Sequence, residues 1–210
     1  MVSRVSYRPF DEGDFDALAE VLRESWHADA ATPEYGLAEA KNDLAYSLAI
    51  STFSQVALID GEPRGIVLSG PAAAREHPGK RWADASEEFF AQMRELDPKA
   101  AESYARFVAL ANTKNNTLLE KSALAGSHEI TLLAVSESAR GMGIGSVLID
   151  AATSHLASHG YSAAHLFTDT DCTWQFYEHC GFKRAGAYRS AWDERRTLPR
   201  EMYLYGIELG

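Results

Sequence analysis

Cysteine is scarce in this 210-residue chain, which has only Cys172 and Cys180. They lie eight positions apart in a stretch that reads as one helix, too far for two sulfurs to meet along a straight axis. Reduced thiols in a reducing compartment are expected, and a disulfide-stapled secreted scaffold is excluded. The C-x-x-C pairs of zinc sites are missing as well. Positive charge is also in deficit: 20 Lys and Arg face 30 Asp and Glu, a formal net charge of −10. Gripping nucleic acid needs clustered cations, so no nucleic-acid partner is expected. A solvated acidic surface and a cationic amine substrate both fit the charge. No apolar run approaches the length of a membrane span, so no membrane partner is expected. The opening M-V-S-R-V-S-Y-R-P-F lacks the apolar core of a secretory signal. The expectation is a cytoplasmic protein. Internal repeats and low-complexity tracts are absent, and the length suits one domain, 1–210, that carries an insertion.

What is present centres on Glu129 to Ile149, E-I-T-L-L-A-V-S-E-S-A-R-G-M-G-I-G-S-V-L-I. Ile130 to Val135 is apolar and rich in β-branched residues, a strand pattern. A short polar connection follows, and Gly141, Gly143 and Gly145 open an amphipathic helix whose apolar stripe is Ile144, Leu148, Ala152 and Leu156. The glycines remove side chains where the N–H groups of a helix start converge on an anion, and Arg140 adds a full positive charge beside them. This is a phosphate-holding pattern spanning Arg140, Gly141, Met142, Gly143, Ile144, Gly145 and Ser146.

The string R-G-M-G-I-G after a strand ending L-A-V-S-E resembles the acetyl-coenzyme-A signature of the GNAT N-acetyltransferases, Arg/Gln-x-x-Gly-x-Gly/Ala, on Arg140, Gly143 and Gly145. A strand from Ala163 to Thr168 followed by F-Y-E-H-C-G-F at Phe176 to Phe182 resembles the second half of the family pattern. The resemblance implies an α/β fold: one GNAT-like domain with a mixed, mostly antiparallel, splayed sheet of about six or seven strands, helices on both faces and a helical insertion before the central strand. It also implies acetyl-CoA as acyl donor, without a metal, and transfer to a primary amine of a small molecule or peptide, a small-molecule amine being the expected partner. By the same resemblance, backbone groups near Leu133 and Val135 reach the pantetheine and the thioester oxygen across a bulge in the central strand. Phe176 then lies on the cofactor. Where many members have Asn and Ala before the Phe-Tyr pair, this chain has Thr170 and Thr173, so Thr170 is the candidate contact to the pantetheine arm.

Around this centre the elements read in order. Ser3 to Arg8 is a short strand. Asp11 and Asp14 cap a helix, with Phe10 placed to staple against Phe15, and Phe15, Leu18, Leu22 and Trp26 form its buried face. Thr32-Pro33 breaks the chain, and a second helix runs from about Leu37 to Thr52. The loop before it carries Tyr35, a candidate substrate contact because the corresponding loop lines the acceptor side in the resembling family; local packing is the alternative. Gln55 to Ile59 and Arg64 to Ser69 are strands joined at Asp60-Gly61. Residues 72–127 form a helical insertion of three helices: one capped by Asp84 and Glu87, one after Asp97-Pro98, and a short one capped by Thr117 and Glu120. It is an acceptor-site element, a covering layer or a dimer surface. A helix from about Asp171 to Cys180 and strands at Lys183 to Ala191 and Arg200 to Leu209 complete the chain.

Acetyl transfer to an amine needs a held donor, a neutral nucleophile, a polarised carbonyl and a proton for the departing thiolate. Tyr177 is the candidate acid, because a phenol of pKa about 10 stays protonated at neutral pH and donates to a thiolate whose acid has a pKa of about 8.5. It matches the tyrosine many family members use; cofactor packing is its other role. Glu129 matches the position from which several members project a basic glutamate, and a solvated strand-end charge is the alternative. His128 should point to the opposite face of the strand. His155 and His159 share a helix face without a third ligand, so a solvated face is expected there. A Rossmann site is disfavoured, since five residues separate Val135 from Gly141 and Ser146 takes the third glycine's place. A P-loop would need Gly-Lys-Ser/Thr, which is absent. A non-catalytic acyl-CoA-binding module and a protein or peptide N-acetyltransferase are the rival functions.

Overall fold

A computed structural model describes residues 4–210, so Ser3 of the expected first strand lies outside them. The alternating segments pair into one sheet: β1 (Val5–Arg8), β2 (Phe53–Ile59), β3 (Glu62–Pro71), β4 (His128–Val135), β5 (Ala163–Asp169), β6 (Lys183–Arg189) and β7 (Glu201–Glu208). Their order across the sheet is β1-β2-β3-β4-β5-β7-β6. Every neighbouring pair is antiparallel except β4 and β5. This is the expected mixed α/β sheet. Asp60 and Gly61, both at positive φ, make the tight turn between β2 and β3.

The six helices are α1 (Phe15–Trp26), α2 (Pro33–Ala49), α3 (Lys80–Leu96), α4 (Pro98–Glu120), α5 (Ile144–Ser158) and α6 (Gln175–His179). They cover both faces of the sheet. On one face the α5 stripe, Ile144, Leu148, Ala152 and Leu156, is no more than 2% exposed and packs with Val67, Ile130, Leu166 and Tyr205. Each large aliphatic buried this way contributes roughly 1.5–3 kcal/mol. On the other face Leu18 and Leu22 of α1 and Leu44 of α2 pack on Ile66, Leu68, Leu132 and Ala134. A one-turn 3-10 segment, Glu12–Asp14, precedes α1; there the Asp11 carboxylate accepts from Gly13 and the Asp14 carboxylate accepts from the Asp11 N–H, so the expected cap forms.

Segment 72–127 differs from its expected layout. It holds two long helices rather than three, since α4 is continuous over 23 residues. Thr117 lies in the body of α4, where its hydroxyl donates to the Thr113 carbonyl. Asp84 lies within α3 and pairs with Lys80. A capping pattern acts only where the cap residue is extended, and in this segment those residues are Gly79 and Asp97. From α3, Trp82 and Phe89 stack on Phe15 of α1. From α4, Ala111 and Phe107 pack on Leu198 and Met202. Beyond α4, Leu124 presses on Gly206 of β7, where a Cβ would lie 2.4 Å from its methyl.

Three further expectations are corrected. Thr32-Pro33 starts α2 rather than breaking the chain before a loop: the Thr32 hydroxyl accepts from the Tyr35 N–H and Pro33 occupies the first turn. Tyr35 is therefore a helical residue. The short α6 contains neither cysteine; Cys172 precedes it and Cys180 caps it, and both are free thiols. Trp26, expected in the core, is 46% exposed at the end of α1.

Candidate active site

The site grows from the one parallel pairing in the sheet. β4 and β5 are in register only at His128 with Ala164 and at Glu129 with His165, and beyond that point they diverge. Into the gap opens a cavity of about 730 Å³. Leu133 and Val135 of β4 line it and pair with Val67 and Gly65 of β3; the ladder is interrupted one step earlier, where Leu68 faces Leu132 while Ser69 faces Ile130, so Thr131 is an extra residue in β4. The bulge reverses the alternation of the strand. Ile130 joins Leu133 and Val135 on the α5 face, although simple alternation would place it with Leu132 and Ala134. The Thr131 hydroxyl is fixed by Ser51 at 2.7 Å.

The glycine turn closes the cavity at the start of α5. Gly141 and Gly143 have φ of 78° and 77°, a left-handed conformation that costs an L-residue about 1–2 kcal/mol. A Cβ at either would enter open space, so the cradle is free of protein atoms where a ligand would lie. The first α5 hydrogen bond runs from the Val147 N–H to the Gly143 carbonyl. The N–H groups of Ile144, Gly145 and Ser146 therefore open the helix as free donors, a site suited to an anion. Gly145 is needed for another reason: a Cβ there would meet the Phe176 ring at 3.1 Å. Arg140 is exposed and only loosely held, 3.5 Å from Glu137 and 3.4 Å from the Ser25 hydroxyl. Met142, half exposed, lies outside the lining. These residues fit a diphosphate-bearing cofactor such as CoA.

Phe176 and Tyr177 enter the cavity from α6. Burial holds the Tyr177 phenol well above its usual pKa, and the neighbouring Cys172, Cys180 and Asp169 add to this. The ring therefore keeps its proton at neutral pH. Sequence reasoning missed several walls, among them Ala139, Asp171 and Cys172. Ser25 and Trp26 come from the end of α1, and Thr173 lies in the turn before α6. Trp26 fits the helical spacing of its buried neighbours, so spacing alone gave no signal for it.

Three candidates lie elsewhere. Thr170 is turned from the cavity, its hydroxyl accepting from the Glu201 N–H at 3.3 Å, so Thr173 replaces it in the lining. Glu129 sits at the vertex of the splay, 7% exposed, with Arg75 donating to both its oxygens at 2.6 and 3.1 Å. Arg75 also donates to the Tyr46 hydroxyl. His165, fully buried beside it, is pushed down to about 4 by burial and the Arg75 cation, and is neutral at physiological pH. His128 points to the other face, as expected, and packs on Tyr161. Tyr35 is buried in a second cavity, described below. His155 stacks on Phe53 and on His159, which is itself exposed as expected of a solvated face. Among the described residues no group of three or more His, Cys, Asp or Glu could hold a metal ion, and no helix is long and apolar enough to cross a membrane.

Comparison with known proteins agrees with this geometry. The family model described as an acetyltransferase (GNAT) domain matches residues 99–184, from α4 through the glycine turn to β6. A search of curated proteins finds no match. Among solved structures, an agmatine N-acetyltransferase in its apo form aligns with a TM-score of 0.63 and 14% identity, covering 98% of this chain and 99% of that one. The ribosomal-protein-S18-alanine N-acetyltransferase from Escherichia coli aligns at 0.57 and 10% identity, covering 99% and 95%. An aminoglycoside 6'-acetyltransferase type Ii aligns at 0.56 and 16% identity, covering 98% and 97%. At such identities the likeness is one of fold. The chain thus carries a GNAT acetyltransferase domain match over residues 99–184 and has the GNAT fold over nearly its whole length.

Proposed function

We infer that the protein transfers an acetyl group from acetyl-CoA to a primary amine within one domain, by direct attack and without a covalent enzyme intermediate. The observation that carries this reading is the cavity along β4 beyond the point where it parts from β5, which joins a free helix N-terminus at one end to the Tyr177 phenol. When bound, acetyl-CoA supplies a thioester whose carbonyl carbon the amine nitrogen attacks, so that an N–C bond forms and the C–S bond breaks. The donors at Ile144 to Ser146, with Arg140, hold the diphosphate. The edge of β4 at Leu133 and Val135 orients the pantetheine arm and the carbonyl. Tyr177, which burial keeps protonated, gives its proton to the departing thiolate.

Glu129 has a different part from the one its position suggested. A carboxylate clamped on both oxygens by Arg75 is a positioning group that fixes the vertex of the splay. The amine, with a pKa of about 10.4 if it is lysine-like, then loses its proton to water before attack. The 72–127 segment is read as a covering layer, because its two helices lie on α1, α2 and β7, with α4 also walling a second cavity against α2.

The test is calorimetry with CoA together with thiol release from acetyl-CoA in the presence of an amine panel. Heat with CoA and thiol release with at least one amine are expected. Binding without release across a broad panel would indicate an acyl-CoA-binding module, and no heat would overturn the site itself.

A further inference from the structure

A second cavity, of about 470 Å³, lies between α2, α4 and the loop before β7. The α1–α2 connection separates it from the first: Ser25 and Trp26 line the donor cavity, and Ala30 and Ala31 line this one. Behind its Glu39 and Tyr104 wall lies a buried charge cluster. His27 is held between Glu39 at 3.3 Å and Asp43 at 3.0 Å, with side-chain exposures of 11%, 17% and 23%. Tyr104 donates to Asp43 and accepts from Asn42, so its hydroxyl is committed. The Tyr35 hydroxyl is not: Tyr35 is 4% exposed, lines the cavity, and has no partner for its oxygen.

One imidazolium between two carboxylates leaves one negative charge in a poorly solvated place. His27 stays protonated up to about pH 9 despite its burial, and the Tyr35 phenol is pushed up to about 12 by burial and then by Glu39 and Asp97. At the cavity wall itself the negative charge is that of Glu39. Arg106 and Arg196 stand at the rim, but Arg106 pairs with Glu102 and Arg196 lies over the Trp192 ring. Both are exposed, and solvent screens them.

Resting on the reading of the first cavity as the acetyl-CoA site, we propose that the second cavity holds the distal ammonium of a diamine acceptor, on the Glu39 carboxylate and the Tyr35 hydroxyl, while the other amine points past the α1–α2 connection to the thioester. The buried, unpartnered phenol oxygen accepts from the ammonium, and Glu39 balances its charge. A lone monoamine leaves both groups unused, and an ω-amino acid would bring a carboxylate against Glu39.

Binding is measured by calorimetry, with and without CoA, using putrescine, n-butylamine and 4-aminobutanoate as probes. Losing one charge-assisted contact is worth tenfold or more in affinity, so putrescine should bind at least about tenfold tighter than either other probe. Glu39→Gln should erase that preference with the CoA affinity unchanged. Tyr35→Phe, which removes one oxygen and no packing, should weaken putrescine alone and keeps the test open if the first variant folds poorly. Equal binding of putrescine and n-butylamine, tighter binding of 4-aminobutanoate, or a preference untouched in both variants would overturn the proposal. Because these titrations need no turnover, an absence of thiol release would count against the transfer reaction and not against this site.

Discussion

His27 offers the sharpest test of the electrostatics. Burial by itself would lower its pKa; hydrogen bonds to Asp43 and then Glu39, with the charges of both, raise it from 6.5 to about 9. The folded state therefore binds this proton more tightly than the unfolded chain. Its contribution to stability is full below about pH 6.5 and is lost as the pH climbs through about 9. At about 1.4 kcal/mol per pH unit, that rise corresponds to about 3 kcal/mol. The side chain is only 11% exposed, so little of this is screened. Tyr35 and Tyr104 face the same cluster, and both are held at pKa values too high to titrate in this window. Urea unfolding of the wild type and His27→Gln, followed between about pH 6 and 10, isolates the effect. The wild type should lose about 3 kcal/mol relative to the variant across that range. Parallel pH curves, or a loss centred near 6.5, would refute the reasoning.

Three other outcomes follow from the site. Gly143→Val places a β-branched residue at φ 77° and fills the open cradle; it should cost about 1–2 kcal/mol of stability and abolish CoA binding by calorimetry. Tyr177→Phe should lower kcat by about 100-fold or more with the CoA Kd unchanged, and an unaltered rate would remove Tyr177 from its acid role. Arg75→Met strands the buried Glu129 carboxylate and should destabilise by about 3 kcal/mol in urea melts, with Glu129→Gln recovering part of the loss in the double variant.

The sequence was most legible where local chemistry decides conformation. Asp60-Gly61 needs two positive φ values, the stripe from Ile144 to Leu156 repeats at helical spacing, and glycines at 141 and 143 take the backbone that only glycine adopts cheaply. It misled where a local signal lacked its tertiary condition. Asp84-Glu87 and Thr117-Glu120 have capping chemistry, but both fall inside helices that had already begun. Trp26 and Tyr35 exchanged expected places because exposure depends on what the neighbouring helices cover. The clamp on Glu129 was beyond reach, since its partner Arg75 lies 54 residues away and no pattern in the chain links them.

The extra residue at Thr131 also decides how the protein tolerates changes in length. Removing it would restore strict alternation through β4 with every facing kept, since Ile130 and Leu132 already lie on opposite faces, whereas a residue added or lost elsewhere in the strand would turn one part of it over. Insertions and deletions should therefore collect in the exposed stretch around Ala125 and Gly126, just before the strand, where Gly126 has open space around it. Away from Thr131, a single codon added to or lost from β4 would put the clamp and the donor wall out of step with each other.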